Sequence, residues 1–67
     1  MVSVVVNGEE REIPAGSTVS ELLDLLGVMR ARVAVEVNLQ VVRRADHDAH
    51  RLQAGDRVEV VAFVGGG

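Results

Sequence analysis

Thr18-Val19-Ser20-Glu21-Leu22-Leu23-Asp24-Leu25-Leu26-Gly27 is a helix with both ends written into it. Thr18 followed three residues later by Glu21 has the capping-box form. The threonine hydroxyl accepts from the Glu21 amide, and the Glu21 carboxylate accepts from the Thr18 amide. Val19, Leu22, Leu23 and Leu26 fall at i, i+3, i+4 and i+7, which puts them on one apolar face. Gly27 stops the helix, because glycine takes the left-handed conformation past a helix end without cost to a Cβ. The spacing predicts two to three turns over 19–26.

Toward the N-terminus, Val2-Ser3-Val4-Val5-Val6 is a short β-rich run, followed by Asn7-Gly8. Both of these residues tolerate positive φ, and the pair is the strongest short hairpin signal. The chain then returns as a second strand over 9–13. Glu9, Glu10 and Glu12 mark it as an edge strand or a solvated face. Pro14-Ala15-Gly16 breaks the pattern before the helix.

Toward the C-terminus, Val33-Ala34-Val35-Glu36-Val37 is a third strand with Val33, Val35 and Val37 on one face. Asn38-Leu39-Gln40 turns the chain, and Val41-Val42-Arg43 is a short fourth strand. The polar stretch 44–51 reads as irregular, with Leu52 plugging the bottom of the core. After the turn Ala54-Gly55-Asp56, a last strand runs over 57–64. In it Val58, Val60 and Ala62 alternate with Arg57, Glu59, Val61 and Phe63. A hairpin, one helix and three further strands make an α+β domain with the helix across one face of a mixed sheet. A late strand lying beside the first describes the β-grasp architecture of ubiquitin, although several small α+β topologies fit the same string. Residues 1–64 are read as the domain and 65–67 as a flexible glycine tail.

Composition narrows the function. Sixty-seven residues form one small core, and at this size folding buries only about 60% of the chain's surface. Fifteen valines against a single aromatic, Phe63, favour strands. Cysteine is absent, so there is no thiol for catalysis and no disulfide, which suits a reducing compartment. The apolar start is too short and lacks the basic leader of a signal peptide, and no run reaches transmembrane length. A cytoplasmic location without membrane association is expected. The net charge is −3 and all seven basic residues are arginine. A mildly acidic chain without a basic stripe is a poor nucleic-acid binder. Without lysine it cannot build lysine-linked chains of itself.

No nucleophile with a base is apparent. Ser17, Thr18 and Ser20 sit at the helix start and read as caps and turn formers. Asp46-His47-Asp48-Ala49-His50 offers imidazole and carboxylate together. It has no recognised ligand frame and reads as a solvated loop or short turn, with no metal expected. Arg43-Arg44 reads as a solvated strand end.

The unusual feature is the end, Phe63-Val64-Gly65-Gly66-Gly67. Three glycines make a thin thread able to enter a narrow site, and its one distinctive group is the Gly67 α-carboxylate. Val61, Phe63 and Val64 are candidates for an apolar contact with a partner beside that thread. The alternative is that they pack on the helix or on each other.

Together these residues resemble the ThiS family of thiamine-biosynthesis sulfur carriers, within the ubiquitin-like β-grasp group. The resemblance runs through Val6-Asn7-Gly8-Glu9, Gly16-Ser17-Thr18-Val19, Val33-Ala34-Val35-Glu36-Val37-Asn38, Val41-Val42-Arg43-Arg44, Gly55-Asp56-Arg57-Val58-Glu59-Val60-Val61 and the Gly66-Gly67 end. It implies that Gly66 and Gly67 are the working residues and Gly65 a weaker match. A ThiF-like adenylyltransferase would activate Gly67 with ATP. A cysteine desulfurase would supply sulfur to make a Gly67 thiocarboxylate, and a ThiG-like thiazole synthase would consume it. The domain would bind no cofactor and would act as a substrate of its partners. The rival readings are a sister carrier resembling the molybdopterin-synthase small subunit, a ubiquitin-like conjugating tag, and a plain interaction module.

Overall fold

The computed structural model describes residues 1–63. Val64, Gly65, Gly66 and Gly67, on which the expected tail and part of the partner contact fall, lie outside the described residues.

Strand β1 (Val2–Val6) turns through Asn7 and Gly8, at φ 49° and 84°, into β2 (Glu9–Ile13). The pairing is antiparallel from Val2↔Ile13 to Val6↔Glu9. Helix α1 spans Val19–Leu26, with both arms of the capping box formed. The Thr18 hydroxyl accepts from the Glu21 amide at 3.2 Å, and the Thr18 amide donates to Glu21 Oε1 at 2.8 Å. Gly27 closes the helix at φ 74°. A short 3-10 turn at Arg30–Arg32 leads to β3 (Val33–Val37), β4 (Gln40–Val42) and β5 (Arg57–Ala62).

The sheet order is β2-β1-β5-β3-β4. β5, last in sequence, is therefore central. It runs parallel to β1 and antiparallel to β3. Acidic β2 is an edge, as its glutamates predict. Val19, Leu22 and Leu23 of the helix meet Val4, Val6, Ile13, Val35, Val37 and Val58 of the sheet, and Leu52 seals the base. This is the mixed sheet on one short helix that the sequence predicts.

Three boundaries differ from expectation. β4 begins at Gln40 and ends at Val42, because Asn38 and Leu39 alone make the turn, at φ 52° and 69°. The described part of β5 ends at Ala62. The stretch 44–51, expected to be irregular, starts with regular structure. It forms a 3-10 turn at Arg44–Asp46, and its backbone then caps the helix. The Val19 amide donates to the His50 carbonyl at 2.9 Å, and the Ser20 amide to the His47 carbonyl at 3.1 Å. Amides at a helix start have no partner within the helix, and this loop supplies them.

Candidate functional site

The site is the far end of β5, where the chain leaves the sheet. Alternation along the strand buries Val58 and turns Arg57, Glu59 and Val61 to the outer face, away from the helix. Val61 is 59% exposed and Phe63 is 64% exposed. The alternative in which they pack on the helix does not occur. The helix lies on the opposite face of the sheet, and the Phe63 amide is tied to the Arg32 carbonyl at 2.9 Å, which continues the β3 edge.

Next to them on the outer face, Ala34 pairs with Val61, Glu36 with Glu59, and Val41 with Glu36. Like charges directly opposite each other on neighbouring strands cost stability. Neither glutamate makes an ion pair among the described residues. The face thus presents two carboxylates flanked by exposed valines, a surface suited to a partner with apolar and basic groups.

Sequence reasoning missed how β5 is held. Two turn asparagines, both at positive φ, spend their side chains on it. Asn7 donates from Nδ2 to the Val60 carbonyl at 3.0 Å and accepts from the Val60 amide at 2.8 Å. Asn38 accepts from the Arg57 amide at 3.0 Å and donates from Nδ2 to Asp56 at 3.1 Å. The dipeptide Asn7-Gly8 signals only the turn. Nothing in the sequence marks a contact 53 residues away.

The Asp46–His50 cluster forms turns, one of its two expected forms, but it is not solvated throughout. His47 is buried, its Nε2 lying 3.1 Å from the Val42 carbonyl, while Nδ1 has no protein partner. One satisfied ring nitrogen lets the imidazole enter the core as a spacer between β4 and the helix start. Ser20 is more than a cap former. Its hydroxyl donates to Asp48 and accepts from Arg30 at 2.8 Å, and Arg30 also pairs with Asp48 at 2.7 Å. The Ser20 hydroxyl first, and then the Arg30 charge, hold the Asp48 carboxyl below the usual carboxylate range. Among the described residues no three of His, Asp and Glu are grouped to hold a metal ion. No described helix is long and apolar enough to cross a membrane.

A mixed five-stranded sheet grasping one short helix, with an apolar strand end exposed beside the chain's exit, defines a ubiquitin-like β-grasp domain. The model of the ThiS family matches residues 4–67. The chain is 32% identical over 66 residues to the sulfur carrier protein ThiS of Escherichia coli, covering 98% of this chain and all of that one. It is 46% identical over 66 residues to a thiazole synthase of Paramagnetospirillum magneticum and 44% identical to one of Magnetococcus marinus. It spans 20% of the length of each of these two. The crystal structure of the thiamine biosynthesis protein ThiS from Geobacter metallireducens superposes with a TM-score of 0.83 at 38% identity, over 98% of this chain and all of that one. The chain belongs to the ThiS family.

Proposed function

We propose that the chain is a cytoplasmic sulfur carrier of thiamine biosynthesis, with the sulfur held as a thiocarboxylate on Gly67. The observation that carries this reading is that the family match extends through the glycine end, to residue 67. The exposed Val61 and Phe63, just before that end, support it as the surface a partner would grip. Two thiazole synthases that contain a segment like this chain favour thiazole formation over the molybdopterin pathway.

The chemistry follows from the weakness of a carboxylate as an electrophile. A Gly67 oxygen attacks the α-phosphorus of ATP on a ThiF-like adenylyltransferase and pyrophosphate leaves. The resulting acyl adenylate is a mixed anhydride. The terminal sulfur of a persulfide, charged by a cysteine desulfurase, attacks its carbonyl carbon and AMP leaves. A thiol then cleaves the remaining sulfur–sulfur bond and frees the thiocarboxylate, whose sulfur passes to a ThiG-like thiazole synthase. The domain supplies recognition and reach. Four residues from Val64 to Gly67 extend at most about 13 Å, enough to carry the carboxylate from the domain surface into a recessed site.

The test combines the protein with ATP, its activating enzyme, a desulfurase and cysteine. Intact-protein mass spectrometry should find one oxygen replaced by sulfur, confined to the C-terminal fragment. An unmodified terminus, or sulfur elsewhere in the chain, overturns the carrier reading. A ladder of isopeptide-linked products in cell extracts would assign the chain to protein conjugation instead.

A further inference from the structure

We infer that Asn7 is a positioning residue for Gly67 adenylation, through its side-chain clamp on Val60 of the strand that delivers the tail. The inference rests on the carrier reading above.

The β1–β5 ladder stops early. Its Cα pairs are Val5↔Arg57 and Val6↔Val58, and the Asn7 amide then donates to the Val58 carbonyl at 2.9 Å. At Gly8, φ 84°, the chain turns away into β2. β5 continues to Ala62. The next rung is made by a side chain. Both polar groups of the Val60 peptide that face β1 are taken by the Asn7 carboxamide, at 3.0 and 2.8 Å. Val60 thus has a neighbour on each edge, the Asn7 carboxamide bonded to it on one and its Cα partner Val35 of β3 across the ladder on the other. Beyond it, among the described residues, Ala62 is paired only with Val33 and Phe63 only with Arg32.

The turn itself does not demand this residue. Asn-Gly, Asp-Gly and Gly-Gly all make a two-residue hairpin turn with positive φ. Of the three first residues, only asparagine can both donate and accept. Without the clamp, the last point held on both sides retreats from Val60 to Val58. The end of β5 can then pivot on the β3 edge, which loosens the strand beyond Val60 against the rest of the domain. A carboxylate displaced by about 1 Å from its line of attack on a phosphorus can lose about 100-fold in rate. A pivot that the bound partner partly corrects costs less.

The test compares Asn7→Gly, Asn7→Asp and Thr18→Ala with the wild-type chain, all below their unfolding temperatures. Thr18→Ala removes the helix cap at a distance from β5 and serves as a control for lost stability. Two readouts are taken: amide hydrogen exchange at Val60, Ala62 and Phe63, and ATP–pyrophosphate exchange with the activating enzyme. Asn7→Gly should speed exchange at Val60 by about tenfold or more, as expected for local opening. It should lower kcat by about tenfold with KM changed less than about twofold, because docking survives while alignment is lost. Asn7→Asp keeps the acceptor and should fall between Asn7→Gly and wild type. Thr18→Ala should keep the wild-type kcat. An Asn7→Gly protein adenylated at the wild-type rate overturns the inference and leaves the carrier reading standing. Equal loss in Thr18→Ala also overturns it, since stability alone would then explain the effect. A wild-type chain that is not adenylated overturns the carrier reading, and the positioning role falls with it.

Discussion

Asn38 and Arg57 form a closed pair. The Asn38 amide donates to the Arg57 carbonyl at 2.7 Å, and the Arg57 amide donates back to Asn38 Oδ1 at 3.0 Å. The free end of the same carboxamide reaches Asp56 at 3.1 Å. The β3–β4 turn is thereby fastened to the start of β5, much as the β1–β2 turn is fastened to its middle.

Asn38→Asp tests this fastening by charge. The aspartate keeps the acceptor for Arg57 and tolerates positive φ, but it sets a second carboxylate where Nδ2 met Asp56. At neutral pH the variant should lose about 1–2 kcal/mol, the cost of a missing partner plus like-charge contact. The like-charge part of the loss should shrink as added salt screens it. Urea titrations at several salt concentrations measure it. A loss that does not change with salt would show that the second carboxylate does not feel Asp56.

Leu39 is the converse case. It sits at φ 69° and is 88% exposed, so its side chain gains almost nothing in return for a left-handed backbone. That conformation costs an L-residue roughly 1–2 kcal/mol, while glycine loses about 0.5–1 kcal/mol in chain entropy. Leu39→Gly should therefore stabilise the fold by about 0.5–1 kcal/mol, or a few degrees in Tm for a domain of this size. Calorimetry decides it. A lower Tm would mean that Leu39 makes a contact that its exposure hides.

Asp48 carries the acid sensitivity. Its carboxyl titrates below its ordinary value of 3.8 because of Ser20 and Arg30. Folding therefore favours the charged form, and this contribution is complete above pH 3.8 and fades as pH falls through the lower folded value. Asp48→Asn should be less stable than wild type at neutral pH. The gap should close in strong acid, where the wild type has lost the same interaction. Chemical denaturation midpoints from neutral pH downward test this. A gap that widens in acid would place the effect elsewhere.

What the sequence made legible was mostly what local pattern governs. The capping box at Thr18 and Glu21, the Gly27 stop, the Asn7-Gly8 hairpin and the alternation along 57–62 each depend on a few neighbouring residues, and each appears at the expected place. What stayed hidden depends on residues far apart. His47 looked like part of a polar loop because its burial rests on one carbonyl, at Val42, and on a loop path that no periodicity encodes. Asn7 and Asn38 were read as turn residues because positive φ explains them fully, which left their side chains unexamined. The opposed Glu36 and Glu59 become neighbours only once β3 and β5 are known to pair. At the candidate site, the exposure of Val61 and Phe63 followed from alternation. The glycine end was legible as composition and as family likeness.

The outer-face contact is separable from the tail. Phe63 buries little, so Phe63→Asp should change stability by no more than the roughly 0.5 kcal/mol usual at surface positions. If it anchors the activating enzyme, the lost contact should raise KM by about tenfold or more, since an aromatic anchor at an interface is commonly worth over 1 kcal/mol. kcat at saturation should stay near wild type. Gly66→Val should give the opposite split. All twelve buried apolar core residues among the described residues lie between Val4 and Val58, and a glycine brings no side chain to that core, so its Tm should match wild type. A Cβ at Gly66 restricts φ and thickens the thread, and kcat should collapse by about 100-fold through misalignment of the carboxylate. Thermal unfolding of both variants beside kcat and KM for adenylation makes the comparison. A Phe63→Asp protein with wild-type KM would remove Phe63 from the docking surface. A Gly66→Val protein with wild-type kcat would show that the glycine end is not what enters the partner's site.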